Sequence, residues 1–120
     1  MEIRKIVEEY WHDEESRKLD RILDHYHLWA TLTVPELGRL EKHEGIRGFY
    51  EASIRRFPRL QVEILEGIED ANKGAFEWKA TFEDHGGSVF ILVGVNIVVI
   101  EDGRFASVRV YYDPKQLADE

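Results

Sequence analysis

The stretch that decides the fold is "VFILVGVNIVVIEDG", residues 89–103. From Val89 to Ile100 every residue is apolar or glycine except Asn96. Side chains on a strand alternate between two faces. One face here carries Phe90, Leu92, Gly94, Asn96 and Val98; the other carries Val89, Ile91, Val93, Val95, Ile97 and Val99. An apolar run bounded by an Asp-Gly turn reads as a strand covered on both sides. Asn96 then needs a partner, because an unpaired buried amide costs roughly 1–3 kcal/mol. Gly94 either leaves room for a neighbour or marks a bulge that swaps the faces beyond it.

The pattern extends in both directions from this strand. Between residues 75 and 85, Phe76, Trp78, Ala80 and Phe82 point one way and Glu77, Lys79, Thr81 and Glu83 the other, which predicts a half-buried strand. "EDANKG", "DHGG" and "EDG" are hairpin-length turns, so strands over 60–70, 75–85, 88–101 and 104–112 make an antiparallel meander. Upstream, Ile3, Ile6, Val7, Tyr10 and Trp11 mark one face of a helix over 2–12. After the polar break "HDEES", Leu19, Ile22 and Leu23 predict a short helix over 16–24. "HLWATLT" predicts a strand over 26–33, and "VPELGRLEKHEG" a loop. Ile46, Phe49, Tyr50, Ser53 and Phe57 share a face of a third helix that Pro58 ends. Helices thus gather on one side of a curved sheet, an α+β architecture.

The 120 residues predict a single domain, 1–120, with a net charge of −8. That charge argues against nucleic acid and against anionic membranes as partners. There is no cysteine, which removes disulfide and thiolate chemistry. "MEIRKIVEEYW" lacks the apolar centre of a signal peptide, and the run at 89–100 is too short for a membrane helix, so a cytoplasmic location is expected. A bare row of Val89, Ile91, Val93, Val95 and Ile97 would be a large apolar patch. Either a second copy covers it in a homodimer, packed sheet to sheet, or the ends of the same chain do.

"IVEEYW", "LDRIL", "EGIRGFYEASIRRFP" and the closing "EDGRFASVRVYYDP" together resemble the SnoaL-like and ketosteroid-isomerase-like group of the nuclear transport factor 2-like superfamily. The resemblance runs from Ile6 to Pro114. It implies three N-terminal helices on a curved, mainly antiparallel sheet, rolled into a cone around a pocket. It also implies that the pocket is lined by Tyr10, His27, Trp29, Thr31, Phe49, Trp78, Phe82, Asn96, Val108, Val110 and Tyr112. Such a lining suits a small hydrophobic molecule.

Within that resemblance, Tyr10 and Asn96 take the positions of two oxyanion donors, a phenol and an amide, both neutral near pH 7. The family's general-base aspartate aligns with Thr31, which cannot shuttle a proton. His27, two residues earlier on the same face, is the replacement, since imidazole titrates near neutrality. The alternative places His27 on an edge strand in solvent; the strand phase can slip by one, exchanging it with His25 or Tyr26. Asn96 equally reads as a structural amide. Asp113 lies near the pocket in some relatives, although before Pro114 it also suits a turn cap. Asp13 in "HDEES" reads as solvated loop, and Arg109 falls on the outer face. His12, His43 and His85 have no metal-ligand spacing, so no metal and no cofactor are expected. Two functions stay open: an acid/base isomerase, dehydratase or cyclase acting on a hydrophobic carbonyl or hydroxyl compound, or a non-catalytic ligand-binding or dimeric scaffold module of the same fold.

Overall fold

The computed structural model describes residues 2–117. Helix α1 (Ile3–Glu15) and the short α2 (Leu19–Asp24) lead into strand β1 (Tyr26–Val34) and a four-residue strand β2 (Gly38–Glu41). Helix α3 (Lys42–Arg56) follows, then strands β3 (Arg59–Asp70), β4 (Lys73–Glu83), β5 (Val89–Glu101) and β6 (Arg104–Tyr112), and a 3-10 turn at Pro114–Leu117. The strands form one sheet in the order β2-β1-β6-β5-β4-β3. All pairings are antiparallel except β1 with β6, which is parallel. The helices rest on its inner face, the α+β cone expected from the sequence. The apolar stripe of α1 buries Ile3, Val7, Tyr10 and Trp11, and Glu14 continues it.

Three elements differ from the expectation. The stretch read as loop after β1 turns back as the short strand β2, paired through Leu32↔Leu40. Helix α1 runs on through "HDEE", so Asp13 is helical rather than loop; its carboxylate meets His25 Nε2 at 2.8 Å. Strand β1 has the opposite phase. A register shift between Tyr26 and Thr31 interrupts its pairing with β6, and the residues turned inward are Tyr26, Ala30, Leu32 and Val34.

Strands β4 and β5 pair without a break from Lys73↔Val99 to Glu83↔Val89. Gly94 therefore marks no bulge between them. It lies opposite Trp78, and a Cβ there would stand 2.6 Å from Trp78 Cζ2 and 2.6 Å from the Tyr111 carbonyl oxygen. The glycine lets the indole lie flat across the neighbouring strand. Phe76 uses Gly67 and Gly74 in the same way, with ring atoms 2.6 Å from the Cβ position of each. The closed end of the cone is packed solid around Phe76, Phe105, Ile3, Ile22, Leu32, Val98 and Ile100, all almost fully buried. Val108 belongs to this core.

Candidate functional site

At the other end, α1, α3 and the inner face of the sheet leave a cavity of about 300 Å³. Strand alternation supplies most of its wall: Trp78, Ala80 and Phe82 from β4, Leu92 and Asn96 from β5, Val110 and Tyr112 from β6. Helix α3 adds Phe49, Tyr50 and Ser53 at helical spacing. Helix α1 adds Tyr10, Trp11 and Glu14, while Glu36 and Leu37 from the β1–β2 turn border it too. The wall is mainly apolar, with a few polar groups among the aromatic and aliphatic side chains.

The partner of Asn96 is Trp78. The indole Nε1–H donates to Asn96 Oδ1 at 2.8 Å across the β4–β5 pair. The amide nitrogen of Asn96 makes no bond to any described residue. Nearby, Trp11 Nε1 is buried and has no hydrogen-bond partner among the described residues.

A second polar group lies on the helix side. The Tyr10 hydroxyl donates to Glu14 Oε2 at 2.8 Å and contacts the Tyr50 hydroxyl at 2.5 Å. Tyr50 in turn meets the Tyr26 hydroxyl at 2.6 Å. Arg17 Nη1 approaches Glu14 Oε1 at 3.5 Å, while its Nη2 donates to Ser53 Oγ at 3.0 Å and its Nε to the Phe57 carbonyl at 3.1 Å. Burial raises the pKa of all three phenols, so each carries its proton at neutral pH. Burial also raises Glu14 above the ordinary 4.5, with Arg17 and the Tyr10 hydrogen bond pulling in the opposite sense. Desolvation lowers the pKa of Arg17 from its ordinary value, against the pull of Glu14. Tyr112 donates to Glu36 Oε1 at 3.4 Å, and burial first, then that carboxylate, push its pKa up to about 12.

Of the residues singled out from the sequence, Tyr10, Phe49, Trp78, Phe82, Asn96, Val110 and Tyr112 come together on the cavity wall. His27, Trp29 and Thr31 do not. The slip in β1 turns them to the outer face, where the His27 ring stacks on Trp29 at 4.6 Å and its Nε2 contacts the Glu101 carbonyl. His27 is therefore removed from the cavity chemistry. Asp113 sits on the surface and caps the 3-10 turn through the Lys115 N–H at 3.0 Å. The residues that sequence reasoning missed are Glu14, Tyr50, Arg17 and Glu36; Tyr26 was offered only as the slipped-phase alternative to His27. Glu14 had a legible signal: it falls four residues after Tyr10 and three after Trp11, on the buried stripe of α1. No group of three His, Asp or Glu side chains suited to a metal occurs among the described residues. No helix among them is long and apolar enough to cross a membrane.

Fold and cavity define a nuclear transport factor 2-like, ketosteroid-isomerase-like cone. The SnoaL-like domain family matches residues 7–108, and the chain belongs to that family. Several solved structures superpose closely. An NTF2-like protein of unknown function from Burkholderia pseudomallei K96243 has TM-score 0.82 at 17% identity, over 95% of this chain and 92% of that one. A putative SnoaL-like polyketide cyclase from Jannaschia sp. CCS1 has TM-score 0.81 at 14% identity, over 94% and 86%. A protein of ketosteroid isomerase-like fold from Catenulispora acidiphila, solved with trimethylamine, has TM-score 0.80 at 14% identity, over 90% and 85%. At these identities the likeness is one of fold. No curated protein matches the chain significantly.

Proposed function

We propose that this chain is an acid/base enzyme of the isomerase, dehydratase or cyclase type, acting without a cofactor on a hydrophobic carbonyl or hydroxyl compound. The observation that carries this reading is the meeting of two carboxyl groups and a phenol chain on an apolar cavity. Glu14 is enclosed behind Tyr10, while Glu36 lies exposed at the mouth. Two carboxyls in contrasting surroundings are how one site runs acid and base steps together. In this reading Tyr10 and the Nδ2 amide of Asn96 hydrogen-bond the substrate oxygen as negative charge builds on it. Glu36 accepts the proton leaving the adjacent carbon, with Tyr112 holding its carboxylate.

The test is proton exchange. A panel of hydrophobic ketones is incubated with the protein in D2O and deuterium uptake beside the carbonyl is followed by NMR. Enzyme-dependent uptake is expected, falling about a hundredfold in Tyr10→Phe and at least as much in Glu36→Gln. No uptake above buffer across the panel would overturn the reading and leave a ligand-binding module.

We also propose that a second copy of the chain covers the outer sheet face. Val89, Ile91 and Val93 are 57%, 51% and 41% exposed, with Tyr111 beside them at 52%. Glu77 and Lys79 flank the row through Glu77↔Val95 and Lys79↔Val93. Opposite charges on one patch pair with themselves across a two-fold axis. Light scattering at micromolar concentration is expected to give twice the chain mass; a monomer would overturn this.

A further inference from the structure

The hydroxyl of Tyr10 has a single hydrogen and three claimants: Glu14, Tyr50 and whatever occupies the cavity. An ionised carboxyl is an acceptor only. With Glu14 ionised, the chain has one consistent direction, Tyr26 to Tyr50 to Tyr10 to Glu14, and the Tyr10 hydrogen is committed to the carboxylate. With Glu14 protonated, its own O–H donates to Tyr10. The Tyr10 oxygen then accepts from Glu14 and Tyr50 together, which fills both of its lone pairs and frees its hydrogen for the cavity.

We propose that Glu14 is a positioning residue whose proton decides where the Tyr10 hydroxyl points: at Glu14 when the carboxyl is ionised, and at a carbonyl oxygen in the cavity when it is protonated. The inference rests on reading the cavity as a carbonyl site and adds how that site is switched on. The proton comes from solvent and forms the Glu14 O–H bond, returning to solvent when the carboxyl ionises; no other bond changes.

The surroundings of Glu14 suit this role. On its own element it faces Tyr10 and has Glu15 next to it, whose Oε2 is already engaged by the Val62 N–H of β3 at 2.7 Å. Arg17, just beyond α1, approaches its other oxygen at 3.5 Å. Tyr50 and Ser53 face the cluster from α3 and Tyr26 from β1. His25, which follows α2, packs edge-on to the Tyr10 ring at 5.8 Å and is bound to Asp13. Arg17 is thus the one cation among the described residues at hydrogen-bonding range of the carboxyl, and it holds the oxygen that does not face Tyr10. The side facing Tyr10 is left to exchange between acceptor and donor. Burial favours the donor form at a higher pH than for a solvated glutamate.

The experiment uses the full chain and a neutral aromatic ketone, 2-acetonaphthone, so that charge repulsion with Glu14 does not enter. Affinity is followed by tryptophan fluorescence and the bound C=O stretch by infrared, both across pH. In the parent, the carbonyl band is expected at a hydrogen-bonded frequency at low pH and to move up as Glu14 ionises, with affinity falling about fivefold, the worth of one hydrogen bond. Glu14→Gln, whose amide oxygen faces Arg17 and whose NH2 faces Tyr10, should keep the low-pH band at every pH. Tyr10→Phe, left with the Asn96 amide as donor, should hold the higher, high-pH frequency at every pH. Should Glu14→Gln not fold, Arg17→Gln is expected to move the parent midpoint upward by removing the cation. A band and affinity independent of pH in the parent overturn this inference and leave the carbonyl reading standing. Absence of ketone binding at every pH overturns both.

Discussion

The two faces of β5 are equally apolar and serve opposite ends. The inner face carries small and polar exceptions, Gly94 and Asn96, and both meet Trp78: one gives its ring room, the other takes its N–H. The outer face carries Val89, Ile91, Val93, Val95, Ile97 and Val99, every one β-branched, none with a polar group to place. The inner face is matched to particular neighbours within the chain. The outer face is a uniform ridge that any complementary flat surface fits. Apolarity alone therefore says little about a strand; its exceptions mark the side fitted to particular neighbours.

This contrast can be broken most severely on the inner side. Phe76→Ala removes a fully buried ring seated between two glycines and is expected to cost about 3–5 kcal/mol in urea unfolding, with part of the cost in the void left behind. Asn96→Leu keeps the volume but leaves the Trp78 N–H without an acceptor, so about 1–3 kcal/mol is expected by the same measurement. A neutral or stabilising result would mean that the amide is kept for a ligand rather than for the fold.

Glu14 sharpens the contrast through pH. Its pKa is raised in the folded chain, so the fold binds this proton more tightly than the unfolded chain does. The contribution is complete below the unfolded value near 4.5 and is lost as pH rises through the higher folded value. Between those two values, urea midpoints of Glu14→Gln should decline less with pH than those of the parent. Parallel curves would remove Glu14 as a stability-linked group. The smallest expected effect on the single chain is on the outer face. Ile91→Lys should alter chain stability by no more than about 0.5 kcal/mol while halving the mass seen by light scattering.

Most of the fold was legible because β4, β5 and β6 from Ser107 onward obey simple alternation, and α1 and α3 simple helical spacing. Phe76, Trp78, Phe82, Asn96 and Val110 were placed on the correct face by counting residues. Strand β1 failed because its pairing slips between Tyr26 and Thr31 against a parallel neighbour nearly 80 residues away, and no local pattern encodes that. The error moved His27, Trp29 and Thr31 inward and hid Tyr26. Glu14 was legible in principle, as a charge on a buried stripe, but its meaning depends on Tyr50 and Arg17, which only the fold brings near it. Tyr50 was visible as a helix-face residue and not as the middle of a phenol chain, because its partners lie 40 and 24 positions away.

The parallel pairing of β1 with β6 has a consequence in time as well as space. Strands β3 to β6 are sequence neighbours joined by short turns, so they can associate with little loop to close. Strand β1 docks only after β6 exists, locked by the Phe105 N–H to the His25 carbonyl at 2.7 Å. The hydroxyls of Tyr10, Tyr26 and Tyr50 all lie on elements that precede this meander in the sequence, α1, β1 and α3. During refolding, amide protection is expected in β4 and β5 before Phe105. The chain is then expected to pass through a stage with β3 to β6 paired and the cone open, and the hydroxyl chain of Tyr10, Tyr50 and Tyr26 forms only when β1 has closed it.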